Sequence, residues 1–203
     1  MSIIPERIFD FVSRETGIKF EQYRNLLESW NRNTSLVQVG TIDQFYIRHI
    51  LDSLQLIPHL PVHHKMIDLG TGAGFPGMVL SIAGINNVTL CDSNHRKIIF
   101  LRELARVVGV DVCTVSCRIE DISQCDYDLV VSRACSDLAA LLQQTLHVSR
   151  ETEKAVTGVF LKGRIVDEEI NRACQQYDFN YEKIDSITSN DGVILKVYNI
   201  RKL

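Results

Sequence analysis

Residues 65–84 read KMIDLGTGAGFPGMVLSIAG, a short apolar run that ends in Asp68, opens into Gly70, Gly72, Gly74 and Gly77, and then passes into a helical pattern. Glycine has no Cβ, so such a turn takes positive φ and lets main-chain amides approach a ligand, while the helix that follows offers free N–H groups to an anionic end. A tight strand-to-helix turn without a ligand does not need so many glycines. The next apolar run, VTLCD, closes on Asp92. A carboxylate at the end of that strand can accept hydrogen bonds from both hydroxyls of a ribose.

Two motif registers fit these residues. Counted from Gly72, the set Gly72, Gly74 and Gly77 is G-x-G-x-x-G with Asp92 about twenty positions on, the spacing of a dinucleotide fingerprint. Counted from Asp68, it is D-x-G-x-G-x-G, the first motif of S-adenosylmethionine-dependent methyltransferases. Asp68 favours the second register: a carboxylate there suits a ligand with an ammonium group and a sulfonium, and would repel a pyrophosphate.

At 203 residues, with 45% hydrophobic and 23% charged side chains, the chain has the composition of a soluble globular domain with room for a substantial core. A formal net charge of -3 does not advertise nucleic acid, so an RNA-binding surface has to be a local patch. The six cysteines, Cys91, Cys113, Cys117, Cys125, Cys135 and Cys174, form no C-x-x-C pair and no zinc-ligand spacing, which points to reduced thiols and assigns no metal. The start, MSIIPERIFDFV, lacks the basic and then apolar order of a signal peptide, and no later stretch approaches a membrane span. A cytoplasmic protein with no membrane partner is expected, a monomer by default.

Residues 1–62 read as a helical extension. Ile8, Phe9 and Val12 make one short face and Leu26, Leu27 and Trp30 another, while Ile47, Ile50, Leu51, Leu54 and Ile57 recur at helical spacing. Thr41 with Gln44 has the form of a capping box for the third helix, which Pro58 and Pro61 would end. Residues 63–203 alternate strand and helix. The spacing predicts strands at 66–69, 88–91, 112–116, 129–132 and 156–161 with a final pair after Tyr181, and helices at 77–83, 95–108, 137–148 and 167–177. Such alternation implies an α/β fold with a mostly parallel sheet, its ligands at the carboxyl ends of the strands. Asp68, Asp92, the segment after Ser116 and Arg133 all fall at such ends and are expected to converge on one crevice.

The ordered segments RHILDSL (48–54), IDLGTGAGFPG (67–77), LCDSNHRKIIFLREL (90–104), CRIED (117–121), VVSRA (130–134) and FLKG (160–163) resemble the bacterial small-subunit rRNA guanine-N(7)-methyltransferases, historically called glucose-inhibited division protein B. The resemblance runs in order over most of the chain. It implies a class I S-adenosylmethionine-dependent methyltransferase, Rossmann-like with a mostly parallel seven-stranded sheet, that methylates a guanine in the decoding-region loop of 16S rRNA, within the small ribosomal subunit or its precursor. S-adenosyl-L-methionine is the implied cofactor. Carried over residue by residue, the cofactor contacts are Gly70 and Phe75 from the glycine loop, Asp92 and Ser93 after the second strand, Ile119 and Glu120 after the third, and Arg133 after the fourth. Asp68 and Gly72 join them on the loop chemistry above. Two positions depart from the family pattern: Ser35, Leu36 and Val37 stand where Asn-Leu-Thr is common, and Asp191 and Gly192 are followed by Val193 and Ile194 where a basic residue is common.

Ring nitrogen seven of guanine carries a lone pair and no proton, so its methylation needs positioning more than a general base. In keeping with that, no N-P-P-Y tetrad follows the fourth strand; the segment reads SRAC. Cys135 lacks the Pro-Cys signature of covalent cytosine chemistry and reads as a small buried hydrophobe. Arg133 is the candidate catalytic residue, placed to meet the methionine carboxylate or a base acceptor edge, or else to pair with Asp128 or another carboxylate. Arg48 and His49 either contact RNA or belong to a helix held by an i,i+4 pair with Asp52. Arg96, Lys97, Lys162 and Arg164 are the phosphate-contact candidates, against the alternative of a solvated face. The alternatives to the rRNA reading are a methyltransferase for another RNA or a protein, an NAD-binding oxidoreductase, and a non-catalytic ribosome-assembly module.

Overall fold

The computed structural model describes residues 4–38, 44–123, 125–133, 135–150 and 155–203. Short, fully apolar runs become central strands. β1 (Met66–Leu69) and β2 (Val88–Cys91) are buried along their whole length, as parallel strands covered on both faces must be. With β3 (Cys113–Val115), β4 (Leu129–Arg133), β5 (Thr157–Lys162), β6 (Tyr177–Asp185) and β7 (Val193–Lys202) they form one seven-stranded sheet in the order β3-β2-β1-β4-β5-β7-β6. β7 runs antiparallel to both its neighbours, and the other pairings are parallel. The chain builds outward from β1 to β3 and then returns to lay β4 on the other side of β1. That reversal opens a crevice at the carboxyl ends of β1 and β4.

Side chains alternate across the sheet and feed two cores. Met66, Leu129 and Val131 face one layer, with α1 (Arg14–Asn31), α3 (Gly77–Ile82) and α4 (His95–Val108); Ile67, Leu69 and Val130 face the other, with α5 (Leu138–Val148) and α6 (Val166–Ala173). Local caps fix the helix starts: Ser13 Oγ accepts from Thr16 N, Asn94 Oδ1 from Arg96 N at 3.0 Å and Asp137 Oδ1 from Ala140 N at 2.9 Å. The extension is packed into the first core, where Ile8, Phe20, Tyr23, Leu27 and Phe45 join Phe75, Met78 and Leu101.

Three expectations are corrected. The first apolar face, Ile8 to Val12, is only a 3-10 turn (Glu6–Asp10). The third helix is a π-helical turn (Tyr46–Leu51) that runs into a single α turn, α2 (Asp52–Leu54). The wider turn buries His49, Ile50 and Leu51 in succession and turns Ile47 out to 38% exposure, which periodicity at 3.6 residues does not foresee. Thr41 of the suggested capping box, like Ala134 of the VVSRA segment, lies outside the described residues. The helix expected to reach Tyr177 ends at Ala173, and Tyr177 opens β6, where pairing with Lys202 and burial of its ring outweigh local helical preference.

Candidate active site

The glycine loop is held from below by the residue that precedes it. Asp68 is fully buried at the end of β1, and its Oδ2 accepts from Thr71 Oγ1 at 2.6 Å and from Gly77 N at 2.8 Å. Its Oδ1 is buried with no hydrogen-bond partner. Burial pushes this carboxyl up to about 7, against the pull of the Thr71 and Gly77 bonds and of Arg133. Two glycines show why the loop needs its composition. A Cβ on Gly77 would lie 2.5 Å from Leu90 Cδ2 and 2.7 Å from Asp68 Oδ2, so only glycine lets α3 start this close to the sheet. Gly72, at φ +60, has nothing nearer its Cβ position than the Gly70 carbonyl at 3.9 Å, so one face of the turn is open.

Gly70 of the same loop borders a cavity of about 240 Å³ lined also by Asp92, Ser93, Ile119, Glu120 and Cys135, among others. The ends of β1 and β2 and the turn after β3 thus meet in one crevice. Asp92 is nearly buried and organises it: Oδ2 accepts from Gly72 N at 3.0 Å and Oδ1 from Asn94 N at 2.8 Å. Lys97 Nζ also approaches Oδ2, at 3.5 Å, while Oδ1 keeps a second acceptor direction for a ribose hydroxyl. Cys91 and Cys117 complete the wall. Burial pushes the Cys91 thiol up to about 12 and raises Cys117 as well, so both remain neutral and form an apolar face. A nucleoside fits this set, with an acceptor for a sugar, thiol walls for a base and a glycine turn; of the four parts expected to converge there, Asp68 lies buried beneath the loop and Arg133 lines the neighbouring groove instead.

Arg133 ends β4 and is fastened to the extension. Its Nη1 donates to Arg48 O at 2.7 Å and to Asp52 Oδ2 at 3.3 Å, and its Nη2 meets His49 Nδ1 at 3.0 Å. The guanidinium also lies over the Phe75 ring, 4.9 Å from the centroid. The carboxylate partner is therefore Asp52; Asp128 instead accepts from His64 N and Lys65 N. His49 is buried and stacks on Phe75 at 4.5 Å, and burial together with Arg133 and Arg48 lowers its imidazole to about 3. It is neutral, accepts from Arg133 at Nδ1, and so carries its proton on a buried Nε2 that has no partner.

The ring of Phe75 stands between Tyr23, His49 and Arg133 rather than forming an open wall of the small cavity. Beside that cavity, and sharing Cys135 and Ser136 with it, lies a groove of about 1300 Å³ whose walls include Arg48, Asp52, Arg133, Lys162, Arg172 and Thr188. Sequence reasoning missed Gln55, Ser186 and Thr188, which join Asp52 in a polar network across the groove wall. Nothing in their local spacing signals it, because Ser186 and Thr188 lie more than a hundred residues from Asp52 and Gln55.

The basic candidates divide. Arg48, Arg96 and Arg164 are exposed, Arg164 with an ion pair to Asp191 at 2.7 Å. Lys162 is not a surface cation: it is 7% exposed, donates to Ser136 O at 2.9 Å and lies 2.5 Å from Glu169 Oε2. Lys97 turns back toward Asp92, 3.5 Å away, and His49, 7% exposed at the groove wall, has its ring stacked on Phe75. Side chains that close onto internal partners are poorly placed to meet phosphate, which is why these three depart from the expected patch. Among the described residues no group of three or more His, Cys, Asp or Glu could hold a metal ion, and no helix is long and apolar enough to cross a membrane.

Fold and crevice together define a class I S-adenosylmethionine-dependent methyltransferase architecture. Among solved structures it is similar to a TehB-like S-adenosylmethionine-dependent methyltransferase from Corynebacterium glutamicum, at 14% identity and TM-score 0.57 over 87% of this chain and 97% of that one. A methyltransferase of the same cofactor class from Aquifex aeolicus matches at 13% identity and TM-score 0.54, over 74% and 90%. At the level of sequence, residues 17–197 match the GidB family, rRNA small subunit methyltransferase G, and the chain belongs to that family. Proteins named ribosomal RNA small subunit methyltransferase G are 38% identical in Orientia tsutsugamushi, over 95% of this chain and 98% of that protein, and 38% identical in Rhodospirillum rubrum, over 94% of each.

Proposed function

We propose that this protein transfers a methyl group from S-adenosylmethionine to ring nitrogen seven of a guanine in the decoding-region loop of 16S rRNA, as a cytoplasmic monomer acting on the small ribosomal subunit or its precursor. The observation that carries the reading is the shared wall at Cys135 and Ser136, where a cavity of nucleoside size borders a groove large enough for a nucleotide presented by a folded RNA. S-adenosylmethionine supplies an electrophilic methyl. The chain's own residues bind and orient: Asp92 and Ser93 at the sugar, Ile119 and Glu120 at the adenine edge, Gly70, Gly72 and the Phe75 main chain along the loop, and Asp68 under the cationic end. Arg133 is the catalytic residue in this scheme, held over Phe75 at the wall of the groove, where it would meet the base or the cofactor's carboxylate.

The side chains around Arg133 support attack by a nitrogen that has no proton to lose. His49 is neutral with its acceptor nitrogen already engaged, and the Asp52 carboxylate is taken up by Arg133, Thr188 and Gln55. Positioning then carries catalysis. Residues 1–62 serve as a packed extension of the methyltransferase domain at 63–203, with Arg48, Arg96 and Arg164 as the RNA-contact candidates. Mass mapping of guanine methylation in 16S rRNA from a strain lacking the gene tests the function. One guanine in the decoding-region loop is expected to lose a methyl group and to regain it when the protein is restored; an unchanged methylation map overturns the reading.

A further inference from the structure

Asp52 sits where three parts of the chain meet. One carboxylate oxygen, Oδ2, accepts from Arg133 Nη1 at 3.3 Å. The other, Oδ1, accepts from Thr188 Oγ1 at 2.6 Å and from Gln55 Nε2 at 2.8 Å. Gln55, one turn further along the same helical segment, fastens the same loop by a second route: its Oε1 accepts from Ile187 N at 2.8 Å and from Ser186 Oγ at 3.2 Å. The loop between β6 and β7 is thus tied, through one carboxylate four-fifths buried, to the arginine at the cofactor end of β4.

The two ends of this link face different ligands. Ser186, Thr188, Ser189 and Asp191 line the large groove, while Arg133 stands at its inner end beside Cys135, which also borders the small cavity. A ligand that shifts the loop loosens or tightens a 2.6 Å bond on Oδ1 and so changes the tilt of the carboxylate. Arg133 follows, because its Nη1 is shared between that carboxylate and the Arg48 carbonyl. Resting on the function proposed above, we infer that Asp52 is a positioning residue that couples the two sites: RNA seated against the β6–β7 loop raises the affinity for the cofactor, and bound cofactor raises the affinity for RNA by the same factor.

The test reads that factor directly. S-adenosylhomocysteine is titrated calorimetrically into the wild-type protein, T188V, T188V combined with Gln55→Leu, and D52N, each alone and in the presence of saturating small ribosomal subunits that lack the methyl group. The wild type is expected to bind S-adenosylhomocysteine about five-fold or more tightly with subunits present, within the usual range of such couplings. T188V removes the hydroxyl on Oδ1, leaving Asp52 and Arg133 in place, and is expected to lower the ratio; T188V combined with Gln55→Leu, which also cuts the route through Ser186 and Ile187, is expected to bring it close to one. D52N is expected to do the same and to weaken binding without subunits, since Arg133 loses its charged partner. A residue that merely stabilises the fold would lower the melting temperature and leave the ratio alone. A T188V ratio equal to wild type, or a wild-type ratio of one, overturns the coupling. Failure of the wild type to bind S-adenosylhomocysteine at all would instead remove the proposed function, and the coupling with it.

Discussion

The ring of Tyr23 lies flat against the ring of Phe75, with 5.3 Å between centroids and 7° between planes, so that the extension and the glycine loop share one aromatic stack. The Tyr23 hydroxyl also donates to the carbonyl of Ala73, between two of the loop glycines. Burial raises its phenol well above the ordinary range and keeps it a donor. Removing the hydroxyl leaves a buried carbonyl without its partner, at a cost of about 1–3 kcal/mol. Tyr23→Phe is therefore expected to unfold at lower urea and to bind S-adenosylhomocysteine several-fold more weakly. Tyr23→Ala is expected to lose about 3–5 kcal/mol, as buried aromatic truncations do. Unfolding midpoints equal to wild type in both variants would show that the extension does not brace the loop.

The same pairing of distant residues marks the limit of what the chain's local pattern discloses. Strands 66–69 and 88–91 and the helix 95–108 are legible because apolar runs, caps and glycine stops act within a few residues. Part of the crevice is legible for the same reason, since Gly70 and Asp92 follow strands whose order comes from βαβ geometry, while Asp68 is buried beneath the loop and lines neither cavity. What is not legible depends on partners far off in sequence. Arg133 reads as meeting either a ligand or a carboxylate such as Asp128 until the fold brings Arg48, His49 and Asp52 to it, and Lys162 reads as a phosphate candidate until Glu169 closes on it from α6. The π turn at Tyr46–Leu51 defeats a periodicity of 3.6, and the ring of Phe75 finds its place only because Tyr23 and His49 flank it.

Gly72 and Gly77 separate the two jobs of the loop. At Gly72 an added Cβ meets open space, so alanine costs only the strain of φ +60, about 1–2 kcal/mol. The methyl group would nonetheless stand on the loop that the proposed scheme lays against the cofactor. Gly72→Ala is expected to fold and to bind S-adenosylhomocysteine at least ten-fold more weakly. At Gly77 the Cβ would strike Leu90 and Asp68 within the core, so Gly77→Ala is expected to lose folding itself. Calorimetry with thermal denaturation distinguishes them; Gly72→Ala binding at wild-type affinity would put the ligand elsewhere.

The basic residues divide in a similar way. Lys162→Ala would strand Glu169 as a buried charge, with a penalty of about 3–5 kcal/mol, and the double variant Lys162→Met, Glu169→Gln is expected to recover most of it. Arg48, Arg96 and Arg164 face solvent, and their replacement is expected to leave stability within about 0.5 kcal/mol. If they touch phosphate, the slope of log affinity for small subunits against log salt becomes shallower by about 0.7–0.9 for each phosphate no longer neutralised. An unchanged slope in the triple variant would move the RNA surface to another face.

Asp68 and His49 give stability opposite dependences on pH. The Asp68 carboxyl rises from its ordinary 3.8 to about 7, chiefly through burial. Between those values the folded chain holds a proton that the unfolded chain has released, so this group makes stability fall as pH rises from about 4 to 7, with the full penalty above 7. His49 drops from 6.5 to about 3, again chiefly through burial. Here the unfolded chain holds the extra proton, so its contribution is complete above about 6.5 and is lost as pH falls toward 3. Denaturation midpoints across that range are expected to rise more steeply with pH in Asp68→Asn than in wild type, and less steeply in His49→Gln. Ligand binding adds a sharper check. A cationic group beside the unpartnered Oδ1 lowers the Asp68 pKa, so S-adenosylmethionine binding near neutral pH is expected to release a proton, seen as a binding heat that varies with the ionisation enthalpy of the buffer. Asp68→Asn removes that variation. A wild-type heat independent of buffer would mean that the cofactor's cationic end does not sit over Asp68.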